Sequence, residues 1–124
     1  MRLLILALLL AACGKNEGDA PTPKSTHSGA MEEARRIYTA KCQMCHGPEG
    51  RGDGPMAANL TPRPRDFHSP SFQSSVTDDQ IVTIISKGGA AVGKSPSMTP
   101  NPDLSPELLA ALKDIVRSHA DPVR

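Results

Sequence analysis

Apolar positions recur at helical spacing in three stretches of this chain. Ala30, Ala34, Ile37 and Tyr38 repeat every three to four residues while Glu32, Glu33, Arg35 and Arg36 occupy the other faces, which predicts a first helix. Ile81, Val82, Ile84 and Ile85 form a second apolar face. It follows Thr77-Asp78-Asp79-Gln80, a capping-box pattern with acidic residues in the first turn, and stops at Gly88-Gly89. The third stripe is Leu108, Leu109, Leu112, Ile115 and Val116, with Ser105 as N-cap, Pro106 at the first helical position and an end near His119. No strand-like alternation competes with these segments, so an all-α chain is expected.

The residues between and before the stripes carry other signals. After His46 the sequence runs Gly47-Pro48-Glu49-Gly50-Arg51-Gly52-Asp53-Gly54-Pro55, too rich in Gly and Pro for helix or strand, so a close-packed loop is expected. At the start, Arg2 precedes the apolar run Leu3 to Leu10 and two alanines. Residues 1–12 therefore read as an export signal, too short to span a membrane. Leu10-Ala11-Ala12-Cys13 resembles the lipobox of bacterial lipoproteins, which makes Cys13 the expected acylated residue and lipid anchor. In such proteins the residue after that cysteine influences sorting. Gly14 is not the aspartate that commonly retains a lipoprotein in the inner membrane, so the expectation is outer-membrane attachment facing the periplasm. Residues 14–29 lack apolar periodicity and are rich in Gly, Pro, Ser and Thr. With Cys13 they read as a flexible tether, spanning roughly 20–24 Å if it behaves as a random coil. His27 lies within it as a solvated linker residue. The folded unit is then residues 30–120, followed by a tail at 121–124.

Composition shows what the three stripes lack. Aromatic residues make up 2% of the chain and prolines number 12, which is poor material for a side-chain core. Something else must supply apolar bulk. The formal charge is +1 with Lys and Arg scattered, so no nucleic-acid footprint is visible. The missing bulk has a candidate in Cys42-Gln43-Met44-Cys45-His46, a Cys-x-x-Cys-His run of the kind that attaches c-type haem. On a helical turn Cys42, Cys45 and His46 stand three and four residues apart and share a face. Two thiols can then bond the porphyrin vinyl groups while the imidazole reaches the iron. A redox dithiol or a zinc site would need a βαβ pattern or more Cys and His ligands, and neither is visible.

Taken together, residues 30–120 resemble a class I cytochrome c domain of the bacterial envelope. The resemblance rests on the haem signature near the start of the domain, the Gly-rich GRGDGP loop with Pro64-Arg65-Asp66-Phe67 after it, Thr77-Asp78-Asp79-Gln80 opening a helix, and Met98-Thr99-Pro100 before a final helix. It implies a small all-α fold of three to four helices around one covalently bound haem c, with the first and last helices crossing. Ala34 stands where such domains commonly have a glycine and Ile115 where an aromatic packs, so a wider or looser crossing is expected. His46 is the implied proximal ligand. Met98, a lone apolar residue in a loop without helical periodicity, is the candidate sixth ligand, and Met56 is the other methionine placed near the ring. Pro55 resembles the proline whose carbonyl takes the Nδ1 proton of the proximal histidine. Arg63 and Arg65 are candidates to steady the haem propionates. His68 reads as a solvated or propionate-contacting residue, and His119 as a partner of the last helix's dipole.

The function implied is one-electron transfer rather than enzymatic turnover. Redox partner proteins would act as donor and acceptor, the membrane would be met through the lipid anchor, and the chain would be a monomer or a subunit of a respiratory complex. The alternative is a gas-sensing or peroxidase-like haem with an open sixth position.

Overall fold

In the computed structural model, which describes residues 23–121, the chain begins as one long helical rod. Helix α1 (Pro23–Ile37) runs into a π-helical turn, Tyr38–Cys42, and then into α2 (Gln43–His46). The helix therefore starts within the segment expected to be tether. Pro23 sits at its first position, where the missing N–H costs nothing. His27, Ser28 and Gly29 are exposed, so these three positions carry no burial pattern that periodicity could have flagged. Further along, Arg36 pairs with Glu32 at 2.7 Å and Glu33 at 3.3 Å on the solvent side, while Ala34 is fully sealed on the other.

Three more helices complete the described fold, and no strand occurs among the described residues. Helix α3 (Pro70–Ser75) is short and capped by Ser69; it lies in a stretch whose sequence showed no periodicity. Helix α4 (Asp78–Lys87) has the expected capping box: Gln80 N–H donates to Thr77 Oγ1 and Thr77 N–H to Gln80 Oε1. Helix α5 (Pro106–Ser118) begins at the Ser105 cap and ends at His119. Single 3₁₀ turns at Ala57–Asn59 and Ala90–Val92 punctuate the loops.

The core forms where α1 crosses α5, with α4 packed beside them. Ala34, Ala111 and Leu112 are at most 2% exposed, and Tyr38, Phe67, Ile81, Ile85, Ile115 and Val116 join them. The crossing is tight at Ala34, contrary to the looser contact expected there. The looseness lies instead beside Ile115, where a groove of ≈ 290 Å³ opens between Arg35, Tyr38, Thr39, Pro48, Ile115, Ser118 and His119. Arg117 ties this end together. Its Nε bonds Asp78 at 2.8 Å, while its other nitrogens reach the Gln73 and Val76 carbonyls and Gln73 Oε1. None of the described helices is long and apolar enough to cross a membrane.

Candidate haem site

Cys42 closes the π-helical turn, while Cys45 and His46 lie on α2. The winding at Cys42 is thus wider than the α-turn expected from sequence, and such π turns recur at functional sites. Both thiols are free and half-buried. Burial pushes the Cys42 thiol up from its ordinary pKa, Lys41 partly offsetting it and Cys45 adding to it.

The carbonyls at the end of α2 would be orphaned without the loop that follows. The chain folds back so that Gly52 N–H donates to the His46 carbonyl at 2.8 Å, Gly54 N–H to Cys45 at 3.2 Å and Met56 N–H to Met44 at 2.9 Å. The glycines are required by this approach. A Cβ on Gly54 would run into the carbonyl oxygens of Gln43 and Met44, and one on Gly52 into that of Pro64. The close-packed loop expected at residues 47–55 is therefore present, wrapped around the backbone of the cysteine-histidine segment.

His46 is set by its surroundings. The Phe67 ring stacks on it with centroids 4.7 Å apart and planes 22° apart. Burial lowers its pKa, with the main chain of Arg65 acting in the opposite direction. The ring is consequently neutral at neutral pH, the state in which a nitrogen lone pair can bind a metal. Nδ1 is buried and has no hydrogen-bond partner. The bond expected between Nδ1 and the Pro55 carbonyl is not formed. Above the loop, Tyr38 donates its hydroxyl to the Gly47 carbonyl at 2.8 Å. Burial is the main reason its pKa rises to about 12.

The methionines separate by environment. Met98 is half-buried against the core. Its loop is pinned to the end of α4: Gly89 N–H donates to the Met98 carbonyl at 2.9 Å, Asn101 N–H to Ser86 at 3.0 Å and the Asn101 side chain to the Ile85 carbonyl at 3.0 Å. Met56 and Met44 are 46% and 47% exposed, whereas Met31 packs in α1 against the core. The Arg63 and Arg65 side chains are exposed on the strand of loop that packs on Gly52.

Two histidines depart from expectation. His119 has its pKa lowered by burial, which disfavours the cation expected to serve the α5 dipole. Its ring packs among Tyr38, Phe67 and His68. His68 is neither solvated nor free, since it bridges Asp121 and the Glu49 carbonyl. Phe67 and Tyr38 are site residues that sequence reasoning missed. The only hint was that two of the chain's three aromatic rings stood near the haem signature or in the Pro-Arg-Asp-Phe run.

Two free thiols and a half-buried imidazole, all on consecutive turns, fit covalent haem. They do not fit zinc: among the described residues no group of three or more His, Cys, Asp or Glu side chains is arranged to hold a metal ion. The family model "Cytochrome C oxidase, cbb3-type, subunit III" matches residues 29–116. The chain belongs to this c-type cytochrome family. Its members carry electrons on covalently bound haem. Among solved structures the chain is similar to the KustC0563 c-type cytochrome, with 26% identity and a TM-score of 0.59 over 71% of this chain and 98% of that one. It is also similar to a chain of the Kuenenia stuttgartiensis reducing HAO-like protein complex Kustc0457/Kustc0458. There the identity is 28% and the TM-score 0.56, over 72% of this chain but only 42% of the other. No curated protein matches the sequence. The family and the described helices agree on a small all-α cytochrome c domain.

Proposed function

We propose that this chain is a lipid-anchored, monohaem electron carrier with His46 and Met98 as axial ligands. The observation that carries the reading is the His46 ring stacked under Phe67, beside the free Cys45 thiol and one turn from that of Cys42. Bound through Cys42 and Cys45, haem c would supply a one-electron Fe(III)/Fe(II) couple, and a His/Met pair holds that couple at a higher potential than two histidines would. The chain's own residues do the rest. His46 offers a lone pair whose direction Phe67 restricts. The glycine loop covers the backbone of the cysteine segment and keeps water from its carbonyls. Met98 would offer a soft thioether from a loop pinned through Met98 and Asn101 to the end of α4 and the turn after it, so little would need to move when the charge on the iron changes. Met98 is favoured over Met56 because it is half-buried against the core while Met56 projects into solvent. Arg63 and Arg65 remain proposed partners of the haem propionates; their exposure on the loop leaves them available for that role.

Cys13, the proposed acylation site, lies outside the described residues, as do the export signal and most of the tether. Diacylation at about 0.8 kcal/mol per buried CH₂ suffices for durable attachment. The tethered domain would face the periplasm from the outer membrane and exchange electrons with protein partners, either as a free shuttle or as an oxidase subunit of the kind the family's name describes. For the axial assignment the test is Met98→Ala: the oxidised protein should lose its red charge-transfer band from thioether to iron and its reduction potential should drop. Retention of that band in Met98→Ala, with loss in Met56→Ala, would move the role to Met56.

A further inference from the structure

His68 has no part in the electron-transfer reading, yet its ring is only 15% exposed and both nitrogens are engaged. Nδ1 lies 3.0 Å from Oδ1 of Asp121, beyond the end of α5, and Nε2 lies 2.7 Å from the main-chain oxygen of Glu49, in the loop behind His46. A carboxylate and a carbonyl accept hydrogen bonds and never donate them. A neutral imidazole has one N–H and can satisfy only one of the two; the other nitrogen would then set its lone pair against an oxygen lone pair. Only the doubly protonated ring fits both partners.

We propose that His68 is an imidazolium brace that holds the loop behind His46 to the end of α5, releases it as pH rises, and so makes the protein's electron affinity depend on pH. The groups around it, drawn from both loops and from α5, are consistent with a cation. Asp121 faces it directly, and Asp66 Oδ1 accepts the His68 main-chain N–H at 2.9 Å. Arg51 opposes the charge. The His119 ring, with its centroid 5.6 Å away, has its pKa lowered by burial first and by His68 next. Glu49 contributes its carbonyl to His68, while its carboxylate acts on His119.

The brace reaches His46 through two steps of contact. Glu49 stands between Gly47, whose carbonyl takes the Tyr38 hydroxyl, and Gly50, whose carbonyl takes the Phe67 N–H at 2.8 Å. Gly50 has φ +69°, and a Cβ there would meet the rings of Phe67 and His119 at 2.8 Å. Phe67 in turn stacks on His46. The bond to Asp121, then the one to Glu49, raises the His68 pKa above the ordinary 6.5. Its contribution is therefore complete below pH 6.5 and is lost as pH rises through the higher, folded value. Loss of a positive charge near the site disfavours the reduced state. Within that window reduction takes one electron from the donor protein and raises the fraction of His68 that carries a proton from solvent, and the potential falls as pH rises. This last consequence rests on the electron-carrier reading; the brace does not.

The test uses the haem-loaded mature protein, with His68→Gln and Asp121→Asn beside it. Three quantities are read between about pH 5 and about pH 9: the titration of each histidine ring by NMR, the exchange protection factors of the Gly50 and Gly52 amides, and the midpoint potential. The expected result is a His68 ring that titrates above 6.5 and moves back toward it in Asp121→Asn. Protection at Gly50 and Gly52 should fall several-fold across that titration in the wild type and stay flat in His68→Gln, and the wild-type potential should fall more steeply with pH than that of His68→Gln. A His68 ring titrating at or below 6.5, or protection profiles that coincide in wild type and His68→Gln, would overturn the brace. A potential with the same pH dependence in both proteins would overturn its coupling to electron affinity. Failure of the electron-carrier reading would appear separately, as a protein without a c-type haem spectrum.

Discussion

Phe67 and His46 are far apart in sequence but stack at 4.7 Å, a contact that restricts the orientation of the histidine ring. The cysteine-histidine run was legible because its chemistry is local: residues three and four apart must share a helical face. Phe67 was not legible, because its value depends on a loop closure that no periodicity records. The Pro55 carbonyl depends on loop placement in the same way: a proline after a glycine-rich turn fits the role of carbonyl acceptor in sequence, whereas Nδ1 of His46 has no partner in the fold. Phe67→Leu, which keeps apolar bulk but removes the ring contacts with His46, Phe72 and His119, should cost about 0.5–1.5 kcal/mol. It should also alter the magnetic signature of the low-spin iron, since the His46 ring is freed to rotate. A denaturant melt together with an EPR spectrum of the oxidised protein checks both, and unchanged EPR parameters would remove Phe67 from the positioning role.

Elements with both a cap and a stripe were readable to within a residue or so. The Thr77 capping box and the Ser105-Pro106 start gave α4 and α5 almost as they stand. Helix α3 has a cap at Ser69 but too few apolar positions for periodicity to register. The part of α1 before Ala30 was hidden for a different reason, since exposed residues such as His27, Ser28 and Gly29 look like linker when only burial patterns are read. The loop at 47–55 was identified as close-packed from its composition, but what it packs on required the fold: it supplies the N–H groups that the end of α2 lacks. Gly54→Ala tests that role. Its Cβ would collide with the Gln43 and Met44 carbonyls, so the loop must shift and the bonds to Cys45 and Met44 must weaken. The expected result is a loss of at least about 2 kcal/mol of stability and a lower yield of covalent haem. Normal haem content and an unchanged melt would show the loop to be dispensable.

The whole domain is built from few large side chains, and its polar connections carry a correspondingly large share of the order between helices. Arg117 joins α5 to Gln73, Val76 and Asp78 at once, and its guanidinium, with Lys113 assisting, holds the Asp78 carboxyl below the ordinary carboxylate pKa. Because the folded value is depressed, this contribution is present above the unfolded pKa of 3.8 and disappears as pH falls through it toward the folded one. Asp78→Asn should therefore lower the melting temperature at neutral pH and flatten its decline in acid, and a variant whose melt falls as steeply as the wild type would exclude Asp78 from that decline. At this scale the haem also matters most. No large side chain is fully buried among the described residues, and a groove opens beside Ile115, so the domain is short of the apolar bulk that a covalently held porphyrin would supply. The most direct measurement is the optical spectrum of the purified mature protein, oxidised, reduced, and reduced with carbon monoxide. A c-type haem spectrum with the thioether band present and no carbon monoxide shift is the result expected of a closed His46/Met98 carrier. A missing band with a strong carbon monoxide shift would contradict that account and indicate an open sixth position.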